Sequence, residues 1–283
     1  MGMKLFYQLP LGVLLLPLLL FVLLAAMEVG LRLGSHHHRV PGSVARESKS
    51  DVTLAAMLTL LGLMLAFTYS FSMSRADLRK QALITEVNAI STAFLRADLS
   101  PEPERTELRQ RLLDYGRSRL FTAEDFTNWQ QVEDHTRRSL QAQSRLWPVI
   151  KSIVARQEGM SEPQKALLVQ AINQVLDAHT ARIAVIYDRL PTIVLALLLL
   201  IAASCMSVAA YSASARGHSS RWRMTAFAVI LSTLMYVIVD FDMIIRGFIR
   251  INHQSMELLV KEMERDIALS SDGPPGLGKT LEH

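Results

Sequence analysis

An all-helical integral membrane protein is the fold class the sequence predicts, and two observations predict it. First, half of the 283 residues are apolar, mean hydropathy is +0.23, and these residues gather into four blocks, about 5–27, 52–71, 190–211 and 224–245. Each block is long enough to cross roughly 30 Å of hydrocarbon as a helix, and none carries a charge before Asp240. Second, the long segment between blocks two and three has helical periodicity and nothing that alternates as a strand must. The expected architecture is four transmembrane helices plus an extramembrane helical bundle formed by extensions of helices two and three. The expected parts are 1–73 (spans one and two with a short basic loop), 74–189 (the extramembrane helices), 190–250 (spans three and four) and a C-terminal tail, 251–283.

The first block has Lys4 before it and could pass for a secretory leader. Its apolar core is about twice the length of a leader's, and Glu28-Val29-Gly30-Leu31 is a poor cleavage site, so it reads as a retained span. Pro10 and Pro17 lie inside it, which membrane helices tolerate. Span two has no helix breaker after it until about Leu99, and Ala82, Leu83, Ala89, Ile90, Ala93 and Phe94 keep the helical spacing outside the bilayer. Ser100-Pro101-Glu102-Pro103 ends that helix, and Pro101-Glu102 suits the start of the next, continued by Leu108, Leu112, Leu113 and Tyr115. From Asp125-Phe126 to Leu146 the pattern is a polar amphipathic helix, with a bend or break expected at Trp147-Pro148. Ser161-Glu162-Pro163 opens a final stretch that runs from Gln164 towards span three, interrupted only by Pro191.

Charge and cysteine content narrow the partners. The net charge of +4 sits largely beside the spans, as expected against anionic lipid, so membrane lipid is a partner and nucleic acid is not. Cys205 is the single cysteine, so no disulfide forms within the chain. The short loops 28–51 (Arg32, Arg39, Arg46, Lys49) and 212–223 (Arg216, Arg221, Arg223) share one side of the membrane. Positive-inside counting places them in the cytoplasm, which puts the helical domain and both termini outside.

An acidic residue at membrane depth costs a few kcal/mol or more unless it faces water, a cation or a partner, so Asp240 and Asp242 mark a candidate ion path. Asp242 and Arg246 are one helical turn apart near the end of the span and read as a structural ion pair; Asp240 lies deeper. Thr68, Tyr69 and Ser72 end the second apolar block, where hydroxyls either line a pore or bond a neighbouring helix. Glu86 and Asn88 lie in a small, apolar stretch beyond it and are candidates for a pore mouth; small neighbours allow close helix approach, so Glu86 is expected to be partly buried, where it either coordinates an ion or caps a helix or bridges to an Arg. His36-His37-His38 lacks the cysteine or carboxylate company of a metal centre, and no metal or other cofactor is expected. Gly273–Thr280 matches the phosphate-loop pattern, yet it follows Ser270-Ser271-Asp272 instead of a strand and has no room for the helix that must follow. Nucleotide binding is not expected there, and Leu281-Glu282-His283 reads as the remnant of an affinity tag. No catalytic arrangement is visible, so an enzyme is not expected.

Several stretches together resemble a known family: Leu63–Thr68, Arg75-Ala76-Asp77-Leu78-Arg79, Glu86–Ile90 with Phe94–Leu99, Leu108-Arg109 through Asp114-Tyr115, and Asp240-Phe241-Asp242 followed by Arg246–Ile249. They are similar to the bestrophin-like domain-of-unknown-function family of bacterial four-span membrane proteins. The chain departs from that pattern at Val87, where the family favours Ala, and at Met243-Ile244-Ile245, where it favours Arg-Pro-Phe. The resemblance implies a bacterial inner-membrane location and a distant likeness to bestrophins, which are oligomeric anion channels. The functional expectation is a homo-oligomeric ion channel carrying inorganic ions, its selectivity open with a lean to cations. The alternative is a non-conducting sensor or scaffold whose helical domain binds a ligand or partner. Acidic groups on the pore face would favour cations; Arg75, Arg79 or Arg96 there would favour anions.

Overall fold

The computed structural model describes residues 11–37, 47–120, 129–156, 159–188, 190–215, 220–242 and 254–271, and among these the regular structure is entirely helical. The helices are α1 (Leu11–His37), α2 (Glu47–Ala97), α3 (Glu104–Ser118), α4 (Trp129–Ser144), α5 (Leu146–Ala155), α6 (Glu162–Tyr187), α7 (Thr192–Ala215), α8 (Arg221–Asp242) and α9 (Gln254–Ser271). Among the described residues, four of these (α1, α2, α7 and α8) are long and apolar enough to cross a membrane. The α2 helix has 51 residues, about 75 Å at 1.5 Å per residue, more than twice the hydrocarbon thickness. Its apolar stretch ends near Phe71, and residues 72–97 contain neither Gly nor Pro, so the helix continues into polar surroundings without a break.

The chain divides into two compact units: Met1–Asp77 with Asp188–Arg250, and Leu78–Tyr187 with Ile251–His283. In the first, the membrane unit, α1 supplies Leu23 and Leu31, α2 Leu61 and Leu65, α7 Ala202, Cys205 and Met206, and α8 Leu231, Met235 and Ile238 to one apolar core. Helices α1 and α7 approach closely through Gly30 and Gly34. A Cβ on Gly30 would lie 2.1 Å from the Ser207 carbonyl oxygen, and one on Gly34 would lie 2.6 Å from that of Tyr211. Ser214 Oγ donates to the Leu31 carbonyl at 3.0 Å across the same seam. Small residues four apart let two backbones meet where the hydrophobic effect gives no drive for association. Gly30→Leu should therefore lower stability by about 1–3 kcal/mol in a thermal melt in detergent. Gly62→Ala, where a Cβ meets nothing within 4 Å, should leave the melt unchanged.

The second, the helical unit, packs Ile90, Phe94 and Ala97 of α2 with Leu108, Leu112 and Tyr115 of α3, Ile150 and Ile153 of α5, Leu168 and Ile172 of α6, and Met256 and Val260 of α9. Arg109 pins three of these helices: it bonds Asp98 at 2.6 Å and Asp266 at 2.5 Å, and its guanidinium lies 4.5 Å from the Phe94 ring centroid.

The helices differ from the expectation in two places. The break expected at Trp147-Pro148 falls at Arg145. Pro148 sits in the first turn of α5, where its missing N–H leaves no bond unmade. The amphipathic helix described before it, α4, begins at Trp129; the expected start at 125–126 lies outside the described residues. The segment expected as a C-terminal tail contributes α9, because Met256, Leu259, Val260 and Met263 recur at helical spacing and are all buried. The Walker-like tail lies outside the described residues.

Candidate ion-path face and buried carboxylates

All four spans expose bulky apolar side chains. Helix α1 exposes Leu14, Leu18 and Phe21; α7 exposes Ile193, Leu197 and Leu200; α8 exposes Phe227, Val229, Ile230 and Leu234. Bulky aliphatic and aromatic side chains of this sort suit lipid tails. Helix α2 exposes Leu60, Leu63, Phe67, Phe71 and Met73 and, beside them, a row of small residues one turn apart, Gly62, Ala66, Ser70 and Ser74. This row lies opposite Leu61, Leu65, Thr68 and Ser72, which face the membrane unit's interior.

The structure thus separates the hydroxyls that the sequence groups together. Thr68 is buried and donates to the Met64 carbonyl of its own helix at 2.7 Å. Ser72 is fully buried and donates to the Ile238 carbonyl of α8 at 2.7 Å, tying span two to span four. Tyr69 is partly exposed, and its ring stands edge-on to Phe241 with centroids 5.9 Å apart. Asn88, in the helical unit, is exposed.

Both carboxylates of span four are buried in the membrane unit. Asp240 accepts a hydrogen bond from the Tyr236 hydroxyl one turn earlier, at 3.1 Å. Asp242 accepts from the backbone N–H of Leu190 at 2.9 Å. Leu190 stands just before Pro191 and the first turn of α7, where the chain is not helical and backbone donors need partners. Asp242 therefore holds the start of span three, a role its spacing from Arg246 does not suggest; Arg246 lies outside the described residues. Arg75 reaches Asp188 at 3.0 Å on the same short connection. Removing the acceptor with Asp242→Ala should cost about 1–3 kcal/mol, the penalty of a buried donor left unpaired, read as a lower melting temperature; Asp242→Asn should recover part of it.

Glu86 is the buried centre of the helical unit. It lies 15 residues beyond Phe71 in the chain, outside the apolar stretch. Arg119 Nε donates to its Oε1 at 2.8 Å, Arg182 bonds its Oε2, and the Tyr115 hydroxyl donates to Oε1 at 2.6 Å. Tyr115 also lies 2.9 Å from His179 Nδ1. His179 Nδ1 is also 3.6 Å from Glu86 Oε1. Arg119 continues to Ser139 on α4 at 3.2 Å. One network thus joins α2, α3, α4 and α6. Burial works to raise the carboxyl pKa, but His179, the two guanidiniums and the Tyr115 hydroxyl more than offset it and hold Glu86 far below the usual carboxylate range. Burial, with the Glu86 charge beside it, pushes the Tyr115 phenol far up, and burial pulls the Arg182 guanidinium down. Tyr115, Arg119, His179 and Arg182 are 29 to 96 residues from Glu86, so only the fold brings them together.

Among the described residues no three His, Cys, Asp or Glu side chains gather as metal ligands. Four apolar spans, an α2 that runs far beyond the bilayer, and a carboxylate-pinned helical unit define a multi-pass helical membrane protein. The chain belongs to the Bestrophin-like family, whose domain model matches residues 19–256. Its fold is that of a bacterial Bestrophin homolog from Klebsiella pneumoniae carrying a point mutation: TM-score 0.59 at 11% identity, covering 90% of this chain and 99% of that one. A second such variant gives 0.58 at 11% identity with 89% and 98% covered, and a protein described only as a membrane protein gives 0.58 at 13% identity with 92% and 99% covered. No curated protein matches the sequence.

Proposed function

We propose that the protein is an ion channel assembled from several copies of this chain, with the small-residue row of α2 lining the pore. The observation that carries this reading is the row Gly62, Ala66, Ser70 and Ser74, exposed along one side of α2 beside Leu63, Phe67 and Phe71. One such face per chain cannot enclose a path for ions. Repetition about a symmetry axis turns it into a lining of small side chains that carries hydroxyls at Ser70 and Ser74. The implied likeness to bestrophins points the same way.

On this reading the pore-facing role passes from Thr68 and Ser72, which are turned inward, to Ser70 and Ser74. Tyr69 flanks the row, and Asn88 belongs to the solvent-facing side of α2 beyond it. Glu86, Asp240 and Asp242 are positioning residues that hold α2, α7 and α8 in place. The test is ion flux through liposomes containing the purified full chain, with the mass of the solubilised complex measured alongside. Flux well above that of empty liposomes from an oligomer supports the reading. A monomer that passes no ions under any gradient would sink it.

A further inference from the structure

We draw no further inference here: the strongest candidate, the apolar surface patch that Leu95 and Leu99 at the end of α2 and Leu167 on α6 leave exposed on the helical unit beside the bond from Arg96 to the Leu167 carbonyl, carries nothing because nothing in the structure shows what covers it.

Discussion

Replacing Glu86 by glutamine should cost about 3–5 kcal/mol and lower the melting temperature of the helical unit sharply, because two buried guanidiniums, Arg119 and Arg182, would then face a neutral amide. Helices α2, α3 and α6 meet at this one carboxylate, so loss should also appear as faster hydrogen exchange along all three. Tyr115→Phe should cost less, about 1–3 kcal/mol, since it removes the one hydroxyl that bonds both Glu86 and His179 Nδ1. The same network fixes a pH dependence. The Glu86 carboxyl is held far below its ordinary value of about 4.3, so its contribution to stability is complete above that value and is lost as pH falls through the lower folded-state value. Melting curves of wild type should fall more steeply in acid than those of Glu86→Gln. Parallel curves would contradict the network's role.

Placing a phenylalanine in the row, Ala66→Phe, should cut flux by about tenfold or more, because a ring of aromatic side chains at one level makes a hydrophobic constriction that expels water. Ala66 is exposed in the single chain, so the substitution need not displace the membrane unit's core. The melt should stay near wild type while conduction falls. Leu200→Phe on α7, which exposes a bulky side chain in any case, should leave both unchanged. Equal flux in wild type and Ala66→Phe would mean that this row does not line the path.

How much of this was legible in the sequence depends on the range of the forces concerned. The four spans were, because each is a continuous apolar run that only a membrane accommodates, and so was the extension of α2, because no Gly or Pro interrupts 72–97. The break between α6 and α7 was marked by Pro191. The break at Arg145 was not: Pro148 is the obvious breaker, yet proline is harmless in a first turn, and composition does not say which turn it will occupy. Burial of Glu86 was suggested by its small neighbours, but its partners lie on other helices. Asp242 was legible as a costly residue at the membrane boundary, whereas its bond to Leu190 N–H depends on how α8 meets the connection into α7. The row on α2 was present in the sequence as small residues four apart. Which side of that helix remained open could be read only once Leu61, Leu65, Thr68 and Ser72 were seen to face inward.

Cysteine accessibility tests the pore face most directly. In a Cys205→Ser background, which removes the one native thiol, single cysteines at Ala66, Ser70 and Ser74 are compared with cysteines at Leu18, Leu200 and Ile230. A charged, membrane-impermeant thiol reagent should block flux through the first three and leave the others conducting, since only a thiol in a water-filled path meets the reagent. Block at Leu200 or Ile230 with none at Ser70 would contradict the assignment of the pore to α2.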